Sequence, residues 1–164
     1  MLPRRYQSER CSIAKTLEIV GDRWTMLIIR EAFFGAYRFD DLHRRLGVAR
    51  TVLSDRLDRL VTEGIVRKER YQDRPARFEY RLTDKGMDLW PVLMALLFWG
   101  DRHAIEGPPP TVVVHRGCGG VPDERRMCSR CRLALGPRDV QARRGGLGDG
   151  AADVPEPTAG VVER

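Results

Sequence analysis

The stretch that most constrains the fold of this 164-residue chain is Gly47 to Gly64, GVARTVLSDRLDRLVTEG. Its apolar residues recur at positions i, i+4, i+7 and i+8, the spacing of one helix face: Leu53, Leu57, Leu60 and Val61. At about 100° per residue, the same winding turns the polar residues to the opposite side. The pattern predicts one short helix that packs on a core and leaves a polar edge exposed.

Three shorter helices are predicted before this stretch. The first has Ser12 as its N-cap, and Asp22 is placed to cap the second. The third runs from about Phe39 to Leu46, and Gly47 supplies the tight turn that follows it. Two helices joined by a glycine-containing turn, the second with a polar outer side, are the helix-turn-helix pattern.

A β-hairpin is predicted after Gly64, where the apolar period falls from about 3.6 residues to about 2. Ile65 to Tyr71 and Phe78 to Leu82 read as its strands, and a basic loop joins them. A hairpin directly after a recognition helix is a wing. Its Arg74 and Arg77 are expected to lie along the phosphate backbone or in the minor groove.

One long helix is predicted from about Asp84 to His103, capped by Thr83, and nearly every residue from Leu89 to Trp99 is apolar. One small domain cannot bury all sides of such a helix, so the pattern favours burial against a second subunit in a homodimer. The alternative is that the helix only covers its own domain. The apolar run is interrupted by Pro91 and is far shorter than the ~20 residues of a membrane helix, so we expect no membrane segment.

The net charge of +6 allows an anionic partner. From Arg44 to Arg81 the chain carries eleven basic and six acidic residues, so most of the surplus lies in the helix-turn-helix and the wing. Met1–Arg10 is polar and basic with no apolar segment after it, so a cytoplasmic protein is expected. Cytoplasmic thiols stay reduced, which favours metal ligands or sensors over disulfides for the four cysteines.

The spacing His115-x2-Cys118-x9-Cys128-x2-Cys131 supplies four ligands in two pairs. Imidazole and thiolates at this spacing can close a tetrahedral zinc site on two short loops. The alternative is unliganded reduced thiols in a floppy segment. Four protein ligands leave no open position for water, and the His-x-Glu of zinc deaminases is missing, so we expect a structural zinc ion and no enzyme.

The run Gly107 to Pro110 marks a boundary. The sequence therefore predicts a winged helix-turn-helix domain for DNA binding and dimerisation in residues 1–107, a zinc-binding knuckle in residues 108–136, and a disordered tail in residues 137–164. The predicted fold class is mainly α with a β-hairpin wing, followed by the small zinc-knuckle-like appendage.

From about Cys11 to His103 the chain resembles the HxlR-type family of bacterial winged helix-turn-helix transcription regulators. The resemblance is carried by five segments in a specific order and spacing: Cys11–Ala14, Gly21–Trp24, Phe39–Leu42, Val52–Leu57 and Phe78–Gly86. It implies a dimer, formed through the first and last helices, that binds a pseudo-palindromic operator and often represses a neighbouring gene. Some similar regulators sense oxidants through a cysteine at the position of Cys11.

Side chains in the first two turns of the inserted helix read the major groove. Arg50 is the best candidate because a guanidinium donates two bonds to guanine O6 and N7. Asp55 either accepts from cytosine N4 or pairs with Arg59 at i+4. The predicted DNA-binding residues are Arg50, Thr51, Val52, Ser54, Asp55, Arg56, Arg74 and Arg77.

Not every arginine is assigned to DNA. For Arg67 and Arg81, on the predicted strands, a solvated surface or a phosphate contact is favoured. Cys11 lies beside a helix N-terminus with basic residues upstream, surroundings that favour oxidation. It is therefore a possible redox sensor, and an inert half-buried thiol is the alternative.

The predicted function is sequence-specific DNA binding by a homodimeric transcription regulator, a repressor, with possible thiol or redox control. A winged-helix protein-interaction module without DNA binding is the alternative. A steep fall of binding with salt separates the two, because phosphate contacts release counterions.

Overall fold

The structure is a computed structural model that describes residues 11–144. The predicted basic arm Met1–Arg10 lies outside the described residues, as do residues 145–164 of the predicted tail. The chain has two compact units, one through Leu97 and the other from Phe98.

Six helices and four strands follow one another in the described residues. They are α1 Ser12–Val20, α2 Arg23–Phe33, α3 Phe39–Leu46, α4 Arg50–Thr62, β1 Val66–Gln72, β2 Arg77–Leu82, α5 Asp84–Met87, α6 Trp90–His103, β3 Thr111–His115 and β4 Val140–Arg144. The predicted helix-turn-helix is confirmed as α3 and α4. The hairpin of β1 and β2 directly after α4 is the predicted wing.

The helix ends follow the side chains that can satisfy free backbone N–H groups. Asp22 caps α2 as predicted, because its carboxylate accepts from the N–H groups of Trp24 and Thr25 at 3.0 and 3.3 Å. The prediction for α1 was wrong by one residue, since Cys11 is the N-cap and Ser12 is already helical. Between α3 and α4, Gly47 adopts a left-handed φ of 62°, which glycine adopts readily because it has no Cβ.

The core of the first unit is built on the predicted stripe of α4. Leu53, Leu57 and Leu60 are fully buried, together with Ile28 and Ile29 of α2. Val61 is only half-buried. Burial of this stripe orients α4 so that the opposite side of the helix remains exposed.

The wing is an antiparallel hairpin in which Val66 pairs with Leu82 and Arg70 with Phe78. Its base is joined to the loop before α3, because the N–H of Tyr80 donates to the carbonyl of Tyr37 at 2.7 Å. Tyr80 itself is buried in the core. The wing is therefore positioned relative to the helix-turn-helix by its backbone as well as by its side chains.

The single long helix predicted from Asp84 to His103 was wrong, because the structure divides it into α5 and α6. Thr83 caps α5 as predicted and accepts from the N–H of Gly86 at 3.2 Å. Pro91 explains the break: proline donates no N–H, and its ring clashes with the carbonyl of the residue four positions earlier, Met87, where α5 ends.

In the second unit, β3 and β4 form an antiparallel pair in which Val114 lies opposite Gln141. Strand β4 falls within residues 137–164, for which the sequence predicts a disordered tail. Its five residues have little apolar alternation of their own, and they are ordered by hydrogen bonds to β3, a partner that lies far away in sequence.

Several apolar side chains remain exposed on α1 and on α6. They are Ile13 and Leu17 on α1, and Val92, Leu96 and Trp99 on α6. One chain thus buries only part of the apolar surface of the last helix. Within residues 11–144, none of the helices is both long enough and apolar enough to span a membrane.

Candidate nucleic-acid interface and metal cluster

The polar edge of α4 is exposed along its first two turns. Thr51, Ser54 and Asp55 are exposed, and Val52 is half-buried beside them. Arg50 begins the helix with 61% of its side chain exposed, donates to Asp40 at 3.0 Å and lies over the ring of Phe39 at 4.8 Å. An exposed ion pair contributes little free energy, so Arg50 can leave Asp40 for a stronger acceptor at small cost.

Arg56 faces inward toward the start of α2. Its guanidinium donates to both oxygens of Asp22, at 3.0 and 3.3 Å, and one of those oxygens also caps α2. The hydrogen bond from Arg56 holds the pKa of Asp22 below its ordinary value, and the backbone N–H groups of the cap act in the same direction. In the unbound protein Arg56 therefore joins α4 to α2.

Replacing Asp22 by alanine is expected to destabilise the first unit by about 1–2 kcal/mol, because the α2 cap is lost. The Asp22→Asn variant keeps a capping oxygen but loses the charge opposite Arg56, so its free energy of unfolding should fall less. Urea denaturation monitored by circular dichroism measures both. Equal stability of wild type and Asp22→Ala would contradict the assignment.

The same pair predicts a pH dependence. Because the folded-state pKa of Asp22 is lowered from 3.8, its contribution is complete above that pH and is lost as the pH falls through the folded-state pKa. The stability difference between wild type and Asp22→Asn should therefore shrink on acidification below that value. A difference that stayed constant down to the acid transition would contradict this linkage.

Asp55 does not pair with Arg59, although the sequence allowed that pair. Arg59 instead donates to the backbone carbonyl of Glu18 on α1. The side chain of Asp55 is exposed and makes no hydrogen bond or ion pair with any residue between 11 and 144. Its carboxylate is therefore available as an acceptor on the outer edge of α4.

The tip of the wing carries Arg74 and Arg77, both exposed. Neither guanidinium forms an ion pair within the described part of the chain. The neighbouring Arg70 is occupied, since it lies 3.3 Å from the carboxylate of Asp73 and also donates to the carbonyl of Asp73 at 3.0 Å. The guanidinium groups of the two tip arginines therefore remain available to an external anion.

A network of charged and aromatic side chains at the base of the wing is not predicted by the sequence pattern. Glu79 on β2 accepts from Arg38, just before α3, at 3.1 Å and from Arg81 at 2.6 Å. Arg38 also lies over Tyr71 at 4.6 Å, and Arg81 over Tyr37 at 4.5 Å. Burial would raise the pKa of Glu79, but the bonds from Arg81 and Arg38 outweigh it and lower the pKa.

This network fixes the orientation of the wing relative to α3. Both strand arginines form ion pairs within the hairpin, Arg81 with Glu79 and Arg67 with Glu69. The only sequence signal was a glutamate within a basic hairpin, and its partner Arg38 lies 41 residues away. Such a distant pairing is visible only in the folded chain.

The four predicted metal ligands come together in the second unit. The ligand atoms of His115, Cys118, Cys128 and Cys131 all lie within 4.8 Å of one another. His115 Nδ1 is 3.2 Å from the sulfur of Cys118 and 3.3 Å from that of Cys131, and the sulfurs of Cys118 and Cys128 are 3.4 Å apart. With Zn–S bonds of about 2.3 Å, a tetrahedral site has edges of about 3.8 Å, so the cluster has the dimensions for one metal ion.

The two loops that carry the ligands have the same backbone turn. The N–H of Gly119 donates to the carbonyl of His115 at 2.8 Å, and the N–H of Arg132 donates to that of Cys128 at 3.0 Å. Gly119 and Arg132 both have a left-handed φ, 69° and 62°. For a non-glycine residue such as Arg132, this conformation costs about 1–2 kcal/mol, so the second loop closes around the cluster against a local backbone preference.

The sulfur of Cys128 is fully buried and lies against backbone. A Cβ added to Gly120 would lie only 2.6 Å from that sulfur. The backbone N–H groups of Cys131 and Arg130 lower the pKa of the Cys128 thiol to about 6. The fold therefore favours the thiolate form, which is the form that binds metals.

Substituting Gly120 by alanine is expected to weaken metal binding about 10- to 100-fold, the range for changes that displace a ligand from its orientation. The added methyl group cannot fit against the Cys128 sulfur without moving it. Gly100→Ala is the matched control, because a Cβ at Gly100 meets no atom within 4 Å. Competition with a chromophoric chelator measures the affinity, and equal values for the two variants would contradict the prediction.

The arrangement of these elements defines a class of protein. A helix-turn-helix whose second helix has an exposed polar edge, followed at once by a basic wing, is the winged helix-turn-helix of transcription regulators. Residues 19–107 match the HxlR-like helix-turn-helix family. The chain belongs to that family, as its resemblance implied.

Relatives extend the similarity over most of the chain. An "Uncharacterized HTH-type transcriptional regulator" of Mycobacterium tuberculosis (strain ATCC 25618 / H37Rv) is 43% identical over 141 residues, 85% of this chain and 87% of the relative. The regulator YvaP of Bacillus subtilis (strain 168) is 38% identical over 95 residues, 57% of this chain and 88% of its own. The mycobacterial match is longer than the winged-helix part, so it includes residues of the second unit.

Solved structures share the fold. The crystal structure of PA1607, a proposed transcription factor, superimposes with a TM-score of 0.66 at 31% identity, covering 85% of this chain and 99% of that one. The redox regulator HypR in its oxidized form gives 0.54 at 28% identity, covering 58% of this chain and 100% of that one. Both comparisons place the chain among winged-helix transcription regulators.

Proposed function

We propose that this chain is a cytoplasmic, homodimeric transcriptional repressor that binds a pseudo-palindromic DNA operator. The observation that carries the proposal is the exposed polar edge of α4, followed by two wing-tip arginines that form no ion pair with any residue from 11 to 144. The buried stripe of Leu53, Leu57 and Leu60 keeps this edge directed outward. Membership of a family of transcriptional regulators supports the same assignment.

In the proposed complex α4 enters the major groove. Arg50 leaves Asp40 and donates to guanine O6 and N7, while Val52 contacts a thymine methyl group. Asp55 gives a direct test of base selectivity, since its carboxylate has no partner among residues 11–144, suits cytosine N4 and repels phosphate. Thr51 and Ser54 adapt to either base, and Arg56 reaches DNA only if it releases Asp22.

The wing supplies contacts that carry no sequence information. Arg74 and Arg77 project from the hairpin tip without internal partners among the described residues. Guanidinium groups there neutralise phosphates or enter the minor groove. In the proposed complex these contacts fix the register of α4 on the duplex, and the Glu79 network holds the wing in place relative to α3.

The proposed dimer forms through the first and last helices. On α1, Ile13 is 71% exposed, and on α6, Trp99 is 61% exposed. Large apolar side chains at helical spacing favour burial against a second copy. A two-fold dimer presents two α4 helices to half-sites about 34–36 Å apart, or a multiple of that distance.

Binding to DNA recovered from the organism's genome tests this function against a protein-interaction module that has lost DNA binding. Between about 50 and 200 mM salt, a protein with 6–10 phosphate contacts loses roughly 10³- to 10⁵-fold in affinity. We expect such a steep fall, two chains per DNA site, and preference for recovered over random duplex. Binding that is absent at low salt would overturn the function.

The second unit is proposed to hold one structural zinc ion. His115, Cys118, Cys128 and Cys131 supply four protein ligands, so no position is left for a reactive water. The proposed organisation places DNA binding and dimerisation in residues 1–107 and the zinc knuckle in residues 108–136. The zinc ion would replace the large core that this short segment lacks.

Cys11 is proposed as a redox-sensing thiol. It is half-buried at the N-cap of α1, and HypR, a relative in structure, is described as a redox regulator. We expect mild oxidation to reduce DNA binding by wild type and to leave Cys11→Ser unaffected, as measured by fluorescence anisotropy with a genomic DNA fragment. Equal loss in both proteins would remove Cys11 from the mechanism and point to the cluster thiolates.

A further inference from the structure

The segment Gly107–Arg144 is strongly basic. It contains eight arginines, no lysine and three acidic residues, so its formal net charge is +5. A zinc ion held by three thiolates and a neutral imidazole would lower this surplus by only one charge. None of these arginines is a ligand of the four-residue cluster, so metal binding does not explain why the segment contains so many of them.

The acids of the segment are already occupied. The carboxylate of Asp123 accepts from the backbone N–H groups of Arg125 and Met127 at 2.9 and 2.8 Å. That of Asp139 accepts from the N–H of Gly136 at 2.7 Å. Glu124 pairs with Arg102, which lies outside the segment. The contacts of Asp123 and Asp139 close turns, and Glu124 is paired with a residue outside the segment, so none of the three acids neutralises an arginine of the segment.

The arginines are correspondingly open to solvent. Six of them are exposed: Arg116, Arg125, Arg130, Arg132, Arg138 and Arg143. Arg125, Arg132 and Arg143 form no ion pair with any residue in the described range 11–144. Their charges are therefore available to an external anion.

The backbone that carries these arginines is held in place by the four-residue cluster and by the pairing of β3 with β4. Arg116 donates to the side chain of Gln141 at 3.5 Å, and Arg143 lies two residues further along β4, on the same face of the strand. Arg130, between the two cysteines of the second loop, donates to the carbonyl of Cys118 in the first at 2.8 Å. The arginines thus stand at fixed positions on a small folded unit.

The chemistry of the segment favours a duplex phosphate backbone as its partner. Guanidinium groups match phosphate geometry with two donors, which lysine does not. Binding to single-stranded nucleic acid relies on aromatic platforms for the bases, and residues 104–164 contain no Phe, Tyr or Trp. A duplex already held by α4 would also be present at high effective concentration for a tethered second surface.

We propose that residues 107–144 form a second DNA-binding surface, which contacts phosphates of the duplex without reading its sequence. This inference rests on the proposed function, since it assumes that the same chain binds DNA through α4 and the wing. It assigns the metal-binding unit a role in affinity and footprint length, with operator choice left to α4.

The test is a quadruple variant of the full chain, Arg116→Gln, Arg125→Gln, Arg132→Asn and Arg143→Gln. Asparagine is chosen at Arg132 because it tolerates the left-handed φ of 62°. The matched control replaces the same four arginines by lysine, which keeps the charge. Anisotropy of a labelled random-sequence duplex is measured over a salt series, after the metal content and thermal midpoint of each protein are compared with wild type.

We expect the slope of log affinity against log salt to fall by about 0.9 for each phosphate contact removed, hence by about 2–4 in the quadruple variant. The lysine control should keep most of the wild-type slope. An unchanged slope in the quadruple variant would overturn the inference, as would arginine-dependent binding that favours single-stranded RNA or anionic vesicles over the duplex.

The same series separates this inference from the proposed function. If the affinity of wild type for the duplex falls steeply with salt and that of the quadruple variant falls equally steeply, only the proposal of a second surface is wrong. If wild type itself shows no duplex binding, the proposed function fails first. A variant of the wing tip, Arg74→Gln with Arg77→Gln, should lower the slope independently of the quadruple variant.

Discussion

Replacing Cys128 by serine is expected to abolish metal binding and to unfold residues 111–144. The apparent binding free energy of a structural zinc ion is about 10–16 kcal/mol in small domains at neutral pH, and much of it is folding free energy. The apolar core of this unit is small, because among the described residues from the start of β3 onward the buried hydrophobic side chains are those of Val113, Val114, Cys128, Leu135 and Val140. Without the metal, burial on this scale does not offset the entropy of ordering the chain.

Two measurements follow this change. Elemental analysis of the purified protein should give one zinc per wild-type chain and none for Cys128→Ser, and limited proteolysis should cleave the variant within the second unit. Cys11→Ser is the matched control, because its thiol lies outside the cluster. Wild-type protein that retained its protease-resistant second unit after complete chelation of zinc would contradict a structural metal site.

Replacing Arg50 by alanine is expected to weaken operator binding by about 1–3 kcal/mol, the range for a lost bidentate contact to guanine. The affinity for random duplex should fall much less, so the variant loses selectivity. The pair that Arg50 makes with Asp40 is exposed, so its loss should leave the free energy of unfolding nearly unchanged. Isothermal titration with operator and with random DNA measures both affinities.

Arg67→Ala is the control for that experiment. Arg67 lies on β1, is paired with Glu69 and is not among the residues assigned to base contact. Its replacement should preserve the ratio of operator to random affinity. If Arg50→Ala kept both the wild-type affinity and the wild-type ratio, base reading by Arg50 would be excluded.

The parts of the fold with local causes were predictable from sequence. The stripe in α4, the cap at Asp22 and the turn at Gly47 each depend on residues within a few positions of one another, and each is present in the structure. The metal cluster was also predictable, because each of its two ligand pairs has a local spacing that is typical of metal sites. Local periodicity and ligand spacing carried these predictions.

The remaining features depend on partners far away in sequence. Arg56 looked like a surface cation of the recognition helix, yet it pairs with Asp22, 34 residues earlier. Strand β4 has too little pattern of its own and is ordered by β3. The division of the last helix has a local cause, because Pro91 in a continuous helix would clash with the carbonyl of Met87, but the long apolar run around Pro91 favours a single helix in the sequence pattern.

The proposed function requires that α4 selects a DNA sequence while the wing anchors α4 on the duplex. Its most direct test is recovery of fragmented genomic DNA by wild-type protein and by a variant that combines Arg50→Ala, Arg74→Ala and Arg77→Ala. Wild type should enrich one pseudo-palindrome with half-sites about one or a few helical turns apart, and the variant should enrich none. Enrichment of the same sequence by both proteins, or of no sequence by wild type, would contradict it.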